Sequence, residues 1–173
     1  MSEDDAIVPL NIAVLTISDR RTEEDDTSGA LLVDSLTSAG HRLVEKRIVA
    51  DDVYVVRATV SAWIADPQVQ VILTSGGTGL TGRDRTPEAI GPLLDKTIDG
   101  FGELFRMLSW EDIEAATIQS RCLAGIANAT YVFCLPGSNG AVKLGWDQII
   151  APQLDSRTFP CNLVKLFPRL RER

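Results

Sequence analysis

The run at residues 10–17, LNIAVLTI, is apolar at nearly every position and stops at Ser18-Asp19. A strand with one face in water alternates apolar and polar residues, so an unbroken run predicts a strand covered on both faces, in a parallel sheet with helices above and below. Residues 41–50 read as a second strand and residues 69–73, VQVIL, as a third. Between them lie stretches of helical spacing. The first carries Ala30, Leu32, Val33 and Leu36, with Ser28 as its cap and Gly40 as its stop; the second carries Val53, Val56, Val60, Trp63 and Ile64. Strand, helix, strand, helix, strand predicts right-handed crossovers and an α/β fold on a parallel sheet.

Downstream, Thr86 is expected to cap a helix with Pro87 at its first position, carrying Ile90, Leu93 and Leu94. Phe101, Leu104, Phe105 and Leu108 mark another helix, reaching Ala115. Residues 121–127 and 130–135 read as strands with Asn128 near the turn, the second ending in Pro136-Gly137-Ser138-Asn139-Gly140, and a last helix is expected over 139–150. There is no internal repeat, and the charged ends at 1–6 and 169–173 are expected to fray. The 173 residues suit one domain.

Composition narrows the chemistry. A net charge of −7 leaves no basic field for nucleic acid. No apolar run approaches the roughly 18 residues of a membrane span, and the acidic start MSEDDAIV is unlike a signal peptide, so a cytoplasmic location is expected. Cys122, Cys134 and Cys161 lack the spacing of a zinc or redox motif and read as buried reduced thiols. His41, the one histidine, sits beside Gly40 and reads as a surface or strand-start residue, which removes His-based metal sites and triads. Carboxylates, hydroxyls, arginines and backbone amides remain, and they suit phosphoryl or nucleotidyl transfer.

Ligands of open parallel sheets bind beyond the carboxyl ends of the strands. Four loops lie there, at 18–29, 50–52, 74–88 and 136–140. The third, TSGGTGLTGRDRTPE, places Gly76, Gly77 and Gly79 where a phosphate can approach bare backbone, with Ser75 and Thr78 as hydroxyl donors; the alternative is a plain flexible turn. Gly77-Thr78-Gly79-Leu80-Thr81-Gly82 matches the dinucleotide pattern G-x-G-x-x-G, but it follows the third strand and its helix begins too late to meet a pyrophosphate. No Lys-Ser or Lys-Thr follows to make a P-loop. Asp84 is either a turn or cap residue or, with Asp51 or Asp52 from the neighbouring strand end, a ligand of Mg²⁺, which takes one or two carboxylates beside phosphate oxygens and water. Asp19 and Asp26 can join such a site, though residues 23–26 also read as a solvated acidic loop.

Taken together, Ser18-Asp19, Asp26-Thr27-Ser28-Gly29, Ser75-Gly76-Gly77-Thr78-Gly79, Arg83-Asp84-Arg85-Thr86-Pro87-Glu88, Gly100-Phe101-Gly102-Glu103, Ser120-Arg121 and Pro136-Gly137-Ser138 resemble the MoaB/MogA family of molybdenum cofactor biosynthesis proteins. The likeness spans residues 10–163, and SAWIADPQVQVIL, GFGELFRMLSWEDI and IIAPQLDSRTFPCN resemble its MoaB branch. The resemblance implies a three-layer α/β/α molybdopterin-binding fold with a mostly parallel sheet, assembled as a homo-oligomer, either a trimer or a dimer of trimers. It implies Mg²⁺-dependent transfer of the adenylyl group of ATP to the terminal phosphate of molybdopterin, with release of pyrophosphate. Asp51 and Asp84 match the family's essential, metal-holding carboxylates, the glycine loop holds the pterin's phosphate, and Pro136, Gly137 and Ser138 line the pterin side. Ser18, Asp19, Asp26, Ser28, Gly29, Thr86, Glu88, Glu103, Ser120 and Arg121 complete the substrate-binding set. Expected partners are the two substrates, further copies of the chain and other proteins of the same pathway. The rival reading is a molybdopterin-binding carrier without turnover.

Overall fold

The computed structural model describes residues 6–172. Six strands form one sheet in the order β2-β1-β3-β6-β5-β4. They are β1 (Asn11–Ile17), β2 (Arg42–Val49), β3 (Val71–Ser75), β4 (Lys96–Thr97), β5 (Leu123–Ala127) and β6 (Thr130–Leu135). The four strands β2, β1, β3 and β6 are parallel, while β5 runs antiparallel to both β6 and β4. The continuous apolar runs explain the middle of this order. β3 and β6 are buried at every residue, as is β1 after Asn11, whereas β2, at the edge, alternates far less favourably and leaves Leu43 and Val44 exposed.

Helices cover both faces. Leu32 and Leu36 of α1 (Thr27–Ser38), Phe101 and Phe105 of α4 (Asp99–Ile113), and Val142 of α5 (Asn139–Gly145) pack with Ile12, Val14, Leu73 and Phe133 on one side. Val56, Val60 and Trp63 of α2 (Val53–Ala65) and Ile90 of α3 (Thr86–Ile90) pack with Ala13, Leu15, Ile72 and Val132 on the other. Each fully buried aliphatic side chain contributes about 1.5–3 kcal/mol relative to exposure. The result is a three-layer α/β/α fold.

Several local expectations are corrected. Helix α1 is capped by Asp26, which accepts from the Gly29 amide, and not by Ser28. Thr86 is the first residue of α3 and caps nothing; that short helix ends at Ile90, because Gly91-Pro92 tightens the chain into a 3₁₀ turn over Gly91–Leu93. Leu94 therefore lies outside it, and the two-residue strand β4 follows where no strand was expected. Helix α4 stops at Ile113, where Glu114 takes φ 46°, and a 3₁₀ stretch Glu114–Gln119 replaces its last turn. β5 begins at Leu123, leaving Arg121 free of the ladder, and the β5–β6 turn uses both Asn128 (φ 47°) and Ala129 (φ 64°), as a two-residue hairpin requires. The final helix continues past residue 150 through a π-helical turn, Trp146–Ile150, into α6 (Ala151–Leu154). Cys122 and Cys134 are buried, but Cys161 is exposed, in the loop after α6. His41 precedes β2 as expected yet is buried, its Nδ1 accepting from the Leu10 amide at 3.2 Å. Of the ends expected to fray, residues 1–5 and 173 lie outside the described residues, and Arg169 closes a 3₁₀ stretch, Val164–Arg169.

Candidate active site at the carboxyl ends of the strands

The chain leaves β1 in one direction to reach β2 and returns to the other side of β1 to form β3, so the sheet has its switch point between β1 and β3. All four expected loops meet there. Ser18 donates its amide to Val49 O (2.8 Å), Gly76 donates to Leu135 O (3.0 Å), and the Asp51 amide donates to Asp19 Oδ1 (3.0 Å). Gly76 (φ 108°) and Gly77 (φ 65°) turn the chain in the left-handed region. Thr86 holds that turn closed from below: its Oγ1 donates to Gly76 O (2.8 Å) and its amide to Gly77 O (2.9 Å). The hydroxyl that fails to cap α3 is thus spent on the glycine turn.

Arg121 clamps the rest of the loop. Its amide donates to Thr78 O (3.0 Å), Nε to Gly79 O (2.8 Å) and one terminal nitrogen to Asp84 O (2.6 Å), while the other pairs with Glu88. Arg121 and Glu88 are therefore engaged with the loop and with each other. Burial and the Arg121 pairing oppose each other at Glu88, and the hydrogen bond from Arg121, the largest influence, holds that carboxyl below its ordinary range.

Each of the two carboxylates lies against a glycine of the turn. A Cβ built on Gly77 would lie 2.9 Å from Asp51 Oδ2, and one on Gly79 would lie 2.7 Å from Asp84 Oδ2. Their environments differ. Burial pushes the Asp84 carboxyl up, but the hydrogen bonds from Thr81 and Gly79, with the Arg121 charge, together bring it below the usual carboxylate range. Asp51 is pushed up, first by burial and then by the charges of Asp19 and Asp84, against the Arg85 amide. Its Oδ1 is buried without a hydrogen-bond partner. A carboxylate oxygen without a donor, raised by two neighbouring carboxylates, is a fit for a hard cation. Among the described residues no three His, Cys, Asp or Glu side chains gather about one point; Asp51 and Asp84 would supply the one or two carboxylates that Mg²⁺ takes beside phosphate and water oxygens. Asp19 also pairs with Arg83 (3.3 Å), tying the first loop to the third.

Other expected residues lie beneath the loop. Asp26 is fully enclosed and pairs with Lys46 Nζ (2.9 Å) while accepting from Thr16 Oγ1 (2.9 Å) and the Gly29 amide (3.0 Å). Ser28 sits beside it, and Ser75 Oγ hydrogen-bonds Ser28 Oγ at 3.1 Å. Burial raises the Asp26 carboxyl, but Lys46, Gly29 and Thr16 outweigh it and leave it below its ordinary value. A Cβ on Gly29 would lie 2.1 Å from Asp26 Oδ2, so the glycine makes room for this network. Residues 26, 28, 29 and 75 are positioned to support the turn from behind.

In front of the turn opens a cavity of about 540 Å³. Gly76, Gly77, Thr78, Gly79 and Asp84 form one end, and Pro136, Gly137 and Ser138 one side, with Ser120 nearby. Ser138 caps α5 by accepting from the Ala141 amide (3.2 Å). The opposite wall comes from α4 and the stretch after it: Phe105, Ser109, Asp112, Ala116 and Gln119, none of which was anticipated as a site residue. The available signal was small and polar residues at steps of four and three after Phe105, on a helix whose pattern otherwise reads as core. Glu103 lies elsewhere, in a separate hollow of about 220 Å³ shared with Gly102 and Arg106. Among the described residues no helix is long and apolar enough to cross a membrane.

Residues 13–156 match the family described as probable molybdopterin binding domain. Molybdenum cofactor biosynthesis protein B of Escherichia coli (strain K12) is 57% identical over 155 residues, covering 90% of this chain and 91% of that one. A crystal structure of a molybdenum cofactor biosynthesis protein B aligns with a TM-score of 0.84 and 47% identity, over 86% of this chain and 93% of its own. The tungsten cofactor synthesizing protein MoaB from Pyrococcus furiosus aligns with a TM-score of 0.77 and 38% identity, over 84% of this chain and 93% of its own. With the family pattern running through the whole sheet and the strand-end loops, the chain belongs to the MoaB/MogA family of molybdenum cofactor biosynthesis, on its MoaB branch.

Proposed function

We propose that this protein is a cytoplasmic molybdopterin adenylyltransferase, which uses Mg²⁺ and ATP to adenylylate the terminal phosphate of molybdopterin and releases pyrophosphate. The observation that supports the reading is the pair Asp51 and Asp84, brought from two different loops to lie against Gly77 and Gly79 of one turn, close enough that the Asp84 charge acts on Asp51. A binding turn alone needs no carboxylates, and two of them beside a phosphate are repulsive unless a cation joins them. An oxygen of the molybdopterin phosphate forms the new bond to the α-phosphorus of ATP as the bond from that phosphorus to the leaving pyrophosphate breaks, in line. Bound Mg²⁺ supplies neutralisation of the charge that builds up on the phosphates. The protein's own part is positional: the Gly77 and Thr78 amides, which no acceptor among the described residues takes, would hold the acceptor phosphate, Thr86 and Arg121 fix the turn, and Asp51 and Asp84 would hold the cation.

The outer face of α4 supports the homo-oligomer, trimer or dimer of trimers, as its working form. Leu104, Met107 and Trp110 are exposed by 36%, 63% and 54%, an apolar patch that a further copy can cover.

The test is incubation of the purified protein with molybdopterin, ATP and Mg²⁺, with product identified by mass. Adenylylated molybdopterin is the expected product, and Asp51→Asn or Asp84→Asn is expected to abolish it while sparing molybdopterin binding. Binding by the wild type with no product makes the protein a carrier. Equal loss of binding and turnover in both variants overturns the assignment of these carboxylates to the cation.

A further inference from the structure

We propose that Asp112 reads the 2-amino-4-oxopyrimidine edge of the pterin, with Gln119 beside it, and so selects the ring at the end of the cavity away from the phosphate. This rests on molybdopterin being the ligand. The cavity has two chemically different ends. The glycine end offers bare backbone and lies beside Asp51 and Asp84; the α4 end offers the Phe105 ring and Leu144 together with a few polar side chains. A phosphate held at the first end directs the fused ring toward the second.

Three of the polar side chains around the cavity are already engaged, and Ser120 Oγ, though without a partner, is buried beside the loop instead of at the α4 end. Ser109 Oγ donates to Phe105 O (2.8 Å), Ser138 Oγ caps α5, and Asp84 accepts from Thr81. The side chains of Asp112 and Gln119 make no hydrogen bond or ion pair among the described residues. Asp112 follows Ser109 by three positions and Phe105 by seven, so the carboxylate rises from the same helical face as the ring beneath it. The Asp112 and Gln119 side chains are both exposed to solvent, and beside an anionic ligand the Asp112 carboxylate is unfavourable at the phosphate and favourable against donors. A 2-amino-4-oxopyrimidine presents two adjacent donors, the ring N3–H and the exocyclic amino group, spaced to meet both carboxylate oxygens. The Gln119 amide, which both donates and accepts, complements the neighbouring 4-oxo group. A 2-oxo ring in its place would set a carbonyl against the carboxylate.

The experiment measures competition against molybdopterin by 6-hydroxymethylpterin and by its 2-oxo counterpart, 6-hydroxymethyllumazine, in the wild type and in Asp112→Asn. The wild type is expected to favour the pterin by about 10–100-fold, the worth of a hydrogen bond to a charged group. Asp112→Asn is expected to cut that preference to within about threefold, with melting temperature and KM for ATP unmoved; Asp112→Glu is expected to keep part of it. A wild type that binds molybdopterin yet shows no preference, or an Asp112→Asn protein that keeps it, overturns the assignment and leaves the proposed function standing. A wild type that does not bind molybdopterin overturns both.

Discussion

Replacing Gly79 by alanine asks how closely the Asp84 carboxylate must be held. The backbone at Gly79 is outside the left-handed region, so alanine adds no strain of its own there. Its Cβ would stand 2.7 Å from Asp84 Oδ2, and ordinary contact begins at 3.4 Å, so the carboxylate must retreat by about 0.7 Å. That retreat stretches the bonds Oδ2 accepts from the Thr81 amide (2.9 Å) and Thr81 Oγ1 (2.7 Å). A misplacement near 1 Å of a group at the chemistry costs on the order of 10²-fold in rate. Loosening two exposed hydrogen bonds costs at most about 1 kcal/mol of stability, which is roughly 2–4 °C in a domain of this size. The expected outcome is therefore a fall of about 10–100-fold in adenylylation rate with melting nearly unchanged and molybdopterin still bound. Gly82→Ala is the matched control, since nothing lies within 4 Å of its Cβ, and it should behave as the wild type. A Gly79→Ala protein that turns over normally refutes the reasoning, as does one that loses rate, binding and stability in equal measure.

Asp26→Ala removes one half of an enclosed ion pair and leaves Lys46 with only the exposed Glu23, so calorimetry should show a loss of about 3–5 kcal/mol, roughly 6–20 °C. The Asp26 carboxyl lies below its ordinary value in the folded chain, so its contribution is complete above the unfolded value near 3.8 and is lost as pH falls through the folded one; Asp26→Asn should flatten the acid limb of a stability–pH curve. Asp51 behaves oppositely. Its folded value is raised, so the ionised form costs stability above that value and the cost fades as pH falls through it; metal-free Asp51→Asn at neutral pH should melt slightly higher, by about 1–2 °C once solvent screening is allowed for.

The layers were legible because burial writes itself into periodicity. Residues 10–17 and 69–73 have no polar face to show, and the sheet gives them none. What stayed hidden depends on partners distant in sequence. Lys46 sits on an edge strand, where a lysine is unremarkable, and only the folded chain brings it to Asp26. Thr86 before a proline has the profile of a cap, but Gly76 O, ten residues earlier, is the stronger claimant for its hydroxyl. The carboxylate pair was readable as chemistry, since Asp51 and Asp84 both follow strand ends, yet the α4 wall was not. Phe105, Ser109 and Asp112 have the same spacing whether they face a core or a cavity, and periodicity cannot tell an interior from a hollow.

Gly76 joins the turn to three strands at once: its amide bonds Leu135 O at 3.0 Å, a Cβ on it would strike Ile17 O at 2.2 Å, and a Cβ on Gly137 would come within 3.3 Å of its Cα. Loops at binding sites usually belong to the least protected part of a protein and open without disturbing the rest. Here the first amide of the turn cannot reach solvent unless β3 and β6 part. Its hydrogen–deuterium exchange should therefore proceed only through global opening, as slowly as the central strands, with or without a ligand in the cavity. This first residue of the turn has no private way to melt, so heat or denaturant takes Gly76 and the central strands in a single step.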